Sequence, residues 1–137
     1  MSLLWEEVRS PPELEVTGCV HNRERIGEER KVFRTNAEAA AIEMFPGVTR
    51  RTLNSGDHTT LIEVVLAQGA VVPAHTHPHE QIGYVAAGRV RFVIDGASRE
   101  LAAGDSYLVP GGASHEVTAI ERSVCIDVFS PVREEYL

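Results

Sequence analysis

The stretch Gly69–Gly88, GAVVPAHTHPHEQIGYVAAG, sets three of the chain's six histidines within five residues, in a segment that otherwise reads as strand. Alternation along a strand puts His75 and His77 on one face, so two imidazoles are directed at a common point. A buried histidine kept for packing needs one hydrogen-bond partner; a converging pair is the beginning of a metal site. A catalytic divalent ion takes three or more protein ligands and keeps a position open, so the set must be completed from elsewhere in the chain. Gln81 follows His77 by four residues across a bend at Pro78, and its carbonyl oxygen can return to the same point from the next strand. His115 follows GDSYLVPGGAS, where Pro110, Gly111 and Gly112 predict a tight turn that delivers a strand carrying the histidine. Glu80 sits one position off Gln81 and on a regular strand points the other way. His79 has the right parity but follows Pro78, and it is expected at the rim. His21 and His58 have no partner at ligand spacing and read as surface or structural histidines.

Outward from this stretch the chain continues as short β-branched runs punctuated by glycine and proline. TTLIEVVLA, QIGYVAA, VRFVI, SRELA, DSYLVP, HEVTAI and SVCIDVF are each of strand length. Asp95-Gly96, between VRFVI and ASREL, predicts a tight hairpin, because both central positions need a positive φ that Asp and Gly tolerate. Regularly spaced strands of this kind predict an all-β sandwich or barrel. The first third is different: charge mixes with short apolar alternation, and Pro11-Pro12 breaks any early helix. Residues 1–42 are expected to form an N-terminal arm with short strands or a helix, and residues 43–137 the barrel. Within TNAEAAAIEMF, Thr35 and Glu38 resemble a capping box, so a short helix is a candidate there, although Pro46-Gly47 leaves it little room.

The 137 residues fit one domain able to bury a core without disulfides. The balance is acidic, 13 basic against 20 acidic residues, with Lys31 the single lysine and no basic stripe, so no nucleic-acid partner is expected. Arginines such as Arg50, Arg51 and Arg133 can still bind a carboxylate locally through the planar guanidinium fork. Cys19 and Cys125 are far apart and form no Cys-x-x-Cys pattern, which signals neither a disulfide framework nor a thiolate metal site. The opening MSLLWEEVRSPPE has no basic n-region or apolar h-region, and no later apolar run approaches a membrane span; a cytoplasmic location and no membrane partner are expected.

The spacing Gly69-x5-His75-x-His77-x3-Gln81-x6-Gly88 resembles the first cupin motif, and Gly104-x5-Pro110-x-Gly112-x2-His115 resembles the second. The fifteen residues between them, Arg89 to Ala103, are similar to the separation in small bacterial single-domain cupins. The resemblance implies an all-β double-stranded β-helix, a jelly-roll barrel, with His75, His77 and His115 as ligands of one divalent ion. The chain departs from the general pattern twice: Gln81 stands where a glutamate ligand is usual, and Ala119 where an asparagine often closes the second motif. Histidine and amide donors suit zinc, nickel, manganese or iron.

The strand SVCIDVF puts Val124, Ile126 and Val128 on one face and Cys125, Asp127 and Phe129 on the other. An aspartate is usually exposed, which argues for Asp127 in water; the opposite arrangement turns Asp127 and Phe129 into the barrel. The ending IDVFSPVREEYL, with AHTHPHEQIGYVAAG, is similar to the pectin-degradation cupins that open ring-form 4,5-unsaturated monouronates into linear ketouronates. That resemblance implies Gln81 as the fourth ligand and Asp127, Phe129 and Arg133 as catalytic residues, acting on a small carboxylated sugar. Two other functions share the same pocket: a metal-dependent dioxygenase of a small phenolic or thiol substrate, and a non-enzymatic small-ligand binder. The apolar faces of SVCIDVF and VRFVI exceed what one small barrel interior uses, so a homodimer is expected, with the N-terminal arm as the competing cover.

Overall fold

The computed structural model describes residues 31–137, which contain ten strands and two 3₁₀ turns. The strands are β1 (Ile42–Phe45), β2 (Val48–Ser55), β3 (Thr60–Leu66), β4 (Val71–His75), β5 (Glu80–Ala87), β6 (Arg89–Ile94), β7 (Ala97–Ala102), β8 (Ser106–Val109), β9 (His115–Ala119) and β10 (Ser123–Ser130). They form a six-stranded sheet in the order β1-β2-β3-β10-β5-β8 and a four-stranded sheet in the order β4-β9-β6-β7. All pairings are antiparallel, the pattern of a jelly-roll barrel. The arm expected over residues 1–42, including Pro11-Pro12, Cys19 and His21, lies outside the described residues as far as Arg30.

The seven runs singled out in the sequence all form strands. Asp95 and Gly96 take φ of 46° and 81°, and the hairpin between β6 and β7 closes on them. The candidate helix after Thr35 does not form: only Asn36–Glu38 turns, with the Thr35 N–H donating to the Glu38 carboxylate at 3.4 Å, and Ile42–Phe45 is β1. The backbone groups of that run find partners on β2 across the Pro46-Gly47 turn, and this tertiary pairing overrides a weak local preference.

Strand parity sets the core. On β3, Thr60, Ile62, Val64 and Leu66 face inward and alternate with half-buried neighbours. β10 lies between β3 and β5, and its inward row is Ser123, Cys125, Asp127 and Phe129, so the aspartate is buried and the apolar trio Val124, Ile126 and Val128 faces out. Leu66, Val48, Val85, Val90 and Val109 are fully enclosed, and burial of each such side chain stabilises by about 1.5–3 kcal/mol. The same parity that closes the core therefore carries Asp127 and Phe129 inside.

Candidate active site

Four strands, with the connection after β4 and the segment after β10, deliver the polar residues. His75 ends β4 and His115 begins β9, where the two are direct register partners; their ring centroids lie 4.1 Å apart. His77 is not on the strand with His75, as alternation alone predicts, but in the connection after it. β4, which carries Pro73 at an irregularity in its register, stops at His75, and Pro78 lies in the connection beyond it. The connection is held from the second motif: Gly112 N–H donates to the His77 carbonyl at 2.8 Å. This brings His77 to 4.7 Å from His115 by ring centroid, and the ligand atoms of all three histidines lie within 4.8 Å of one another.

Gln81 is buried at the start of β5 and Glu80 beside it is exposed, in line with strand parity. The glutamine is the register partner of Phe129, two residues along β10 from Asp127. Its Nε2 donates to Asp127 Oδ1 at 3.0 Å, and its Oε1 stands 3.0 Å from His77 Nε2.

The donor and acceptor roles are informative. His75, His77 and His115 each set Nδ1 against a backbone carbonyl, of Pro73 at 2.8 Å, His79 at 3.0 Å and Ala113 at 2.9 Å. A carbonyl only accepts, so each Nδ1 carries the ring proton and each Nε2 of a neutral ring keeps its lone pair. Burial lowers the pKa of His77 and brings that of His115 to about 4, which keeps both rings neutral. His115 Nε2 is buried without a hydrogen-bond partner among the described residues, and His77 Nε2 faces another acceptor, Gln81 Oε1. Three lone pairs and an amide oxygen directed at one region fit a divalent cation. The backbone carbonyls behind them supply the outer hydrogen bonds that fix ring orientation in such sites.

The site opens on a cavity of about 240 Å³ lined by His75, Gln81, His115, Asp127, Phe129 and Arg133, with apolar walls from residues such as Met44 and Phe92. Asp127 is 5% exposed, and burial raises its pKa against the hydrogen bonds from Tyr107 and Gln81 and the charge of Arg133. Arg133 is also buried. Its guanidinium lies 4.8 Å from the Phe129 ring centroid and 4.0 Å from that of Tyr136, and Nε donates to Glu135 at 2.7 Å. Its terminal nitrogens make no hydrogen bond among the described residues.

Arg50 faces the same end but is committed to structure. Nη1 donates to Thr52 Oγ1 at 2.6 Å and to the Tyr136 carbonyl at 3.1 Å, with the guanidinium 4.1 Å from the Tyr136 ring centroid. Arg51 reaches Asn36 instead, at 2.9 Å. His79, expected at the rim, is buried: its carbonyl orients His77 and its ring sits edge-on to Phe129 at 6.3 Å. His58 is exposed, in agreement with its reading as a surface residue.

Sequence reasoning did not single out Tyr107 or Tyr136. Tyr107 is buried, stacks on Phe92 at 4.0 Å and donates its hydroxyl to Asp127 Oδ1 at 2.5 Å. Inward parity with Val109 was the available signal for it. Tyr136 is held between Arg50 and Arg133 by the final turn, and no pattern in EEYL points there.

These motifs and this barrel place the chain in the cupin family, whose domain model matches residues 62–129. Within the family it is similar to the pectin degradation protein KdgF of Dickeya dadantii, 39% identical over 97 residues that span 69% of this chain and 88% of that protein. The structure of KdgF from Halomonas sp. is 33% identical with a TM-score of 0.74, covering 78% of this chain and 99% of that one. An RmlC-like cupin from Shewanella frigidimarina superposes with a TM-score of 0.75 at 28% identity, over 78% of this chain and 96% of its own.

Proposed function

We propose that this chain is an enzyme that opens ring-form 4,5-unsaturated monouronates into linear ketouronates, with one divalent ion held by His75, His77, Gln81 and His115. The observation that carries this reading is the convergence of lone-pair donors at one cavity that also holds a buried carboxylate, Asp127, and an arginine, Arg133. Likeness to a pectin degradation protein supports a substrate of this class. When bound, the ion supplies Lewis-acid polarisation of a substrate oxygen, and zinc, nickel, manganese and iron all suit the donors.

The chain's own residues then have separable tasks. The hemiacetal hydroxyl loses a proton, the ring C–O bond breaks with its electrons left on the enol oxygen, and a proton returns to the enol carbon. In this reading Asp127 carries that proton, and its burial raises its affinity for it. Arg133, steadied by stacking on Phe129 and Tyr136 and by Glu135, offers its terminal nitrogens to the substrate carboxylate. Phe129 supplies apolar surface to the sugar face. The ultraviolet absorbance of the unsaturated uronate follows the reaction: metal-loaded protein is expected to accelerate its loss, and a rate no greater than with the metal salt alone sinks the proposal.

The apolar walls of the cavity favour a second reading, a metal-dependent dioxygenase of a small phenolic or thiol substrate. Oxygen consumption by the iron-loaded protein with such substrates, and none with uronate, would establish it. We also propose a homodimer. Ile82, Tyr84 and Leu108, on the outer face of β5 and the edge strand β8, are 55%, 50% and 50% exposed, and association would cover both the patch and the strand edge. Sedimentation at micromolar concentration is expected to give twice the chain mass; a monomer removes this part of the proposal.

A further inference from the structure

Tyr107, Gly83 and Asp127 lie side by side on three neighbouring strands. Gly83 on β5 is the register partner of both Tyr107 on β8 and Asp127 on β10. Side chains two strands apart are separated by roughly 9–10 Å at their backbones, so contact between them requires one to cross the strand between. The Tyr107 ring does so over Gly83: a β-carbon there would fall 2.1 Å from Tyr107 Cζ and 2.4 Å from Asp127 Oδ1. A glycine inside a central strand weakens it, and here it admits a buried hydrogen-bonded chain running from Tyr107 through Asp127 and Gln81 to His77.

The chain has a fixed polarity. Tyr107 donates to Asp127 Oδ1, which therefore acts as an acceptor toward Gln81 as well and takes the amide NH₂ rather than the amide oxygen. With its nitrogen so engaged, Gln81 has only its oxygen to present to His77. We propose that Tyr107 is a positioning residue and that Asp127, besides the proton-carrying role proposed above, acts with it to lock the Gln81 amide with its oxygen toward the three imidazoles, so that glutamine fits position 81 because Asp127 stands behind it. A glutamate at 81 would offer no donor to Asp127 and would set two carboxylate oxygens at the 3.0 Å now spanned by the amide bond.

This inference rests on the metal site proposed above, and nickel(II) binding to the full chain by titration calorimetry tests the two separately. Removing an outer hydrogen-bond partner of a ligand typically costs about 10–100-fold in metal affinity, and Tyr107→Phe is expected to lose about 10-fold. The decisive measurement is the double-mutant cycle of Gln81→Glu and Asp127→Asn. Asp127→Asn alone is expected to weaken binding, since it removes a negative charge from beside the site. In the Gln81→Glu background the same change is expected to tighten binding by about 10-fold or more, because the new amide can donate to the carboxylate at 81. Melting of the metal-free proteins gives a readout independent of the ion: Gln81→Glu lowers the midpoint and the double variant restores it. If wild type takes up nickel and the cycle is additive, or if Tyr107→Phe binds as wild type does, the positioning role is overturned and the metal site stands. If wild type takes up no nickel, both fall.

Discussion

Replacing His77 by alanine is expected to abolish stoichiometric metal uptake, with affinity lower by more than about 100-fold, beyond the loss typical of outer-sphere changes. The expectation follows from the position of this ring in the site. Its Nε2 faces Gln81 Oε1 at 3.0 Å and its ring lies 4.7 Å from that of His115, so it links the proposed ligands of the two sheets. Its Nδ1 bond to the His79 carbonyl fixes the tautomer, and burial holds the ring neutral. Without it, His75 and His115 remain as a register pair on one sheet and Gln81 stands alone on the other. Elemental analysis after loading is expected to find one divalent ion per wild-type chain and well under a tenth of that in His77→Ala. His58→Ala, an exposed histidine outside the site, serves as the control for non-specific loss. Equal occupancy in wild type and His77→Ala would remove these histidines from any ligand role.

The parts of this site that sequence reading reaches are those governed by parity and spacing. Gln81 against Glu80, and the inward row of Asp127 and Phe129, are each consequences of a two-residue period, although the aspartate needed family resemblance to overcome the general preference of carboxylates for water. His77 shows the limit of the same rule: the strand ends before it, and it reaches the site through a loop pinned by Gly112 rather than through alternation. Tyr107 was hidden for another reason. Its partner is two strands away, and cross-strand register is not written in local sequence; the trace it leaves, Gly83 within EQIGYVAA, is legible only once β5 is known to lie between β8 and β10. Arg50 was readable as a cation and not as a structural one, because its carbonyl acceptor belongs to Tyr136, 86 residues away.

Asp127→Asn is expected to lower turnover of the unsaturated uronate by about 10²–10⁴-fold, the usual effect of removing a general acid or base. The substitution is nearly isosteric. Asn Oδ1 still accepts from Tyr107 and Gln81, so the barrel and the Gln81 amide keep their arrangement while the proposed proton carrier is gone. At saturating metal, which this variant is expected to bind more weakly, the loss should therefore fall on kcat, with KM little changed. Arg133→Ala separates a second role. Arg133 does not touch Asp127 through any hydrogen bond; it stacks on Phe129 and Tyr136 and is held by Glu135, an arrangement suited to gripping a substrate carboxylate. An anchor that serves ground and transition states alike contributes uniform binding, so its loss raises KM and leaves kcat within a small factor. If the carboxylate contact also aligns the reacting carbon with Asp127, kcat falls with it, because misplacement by about 1 Å can cost about 10²-fold. Arg133→Lys distinguishes these cases: it keeps the charge but not the planar fork, so it recovers KM in the first and leaves kcat low in the second. Metal content measured on every variant keeps loss of the ion from passing as loss of the proton carrier. Full metal occupancy with wild-type turnover in Asp127→Asn would exclude this carboxylate from proton transfer and pass that role to another group of the cavity.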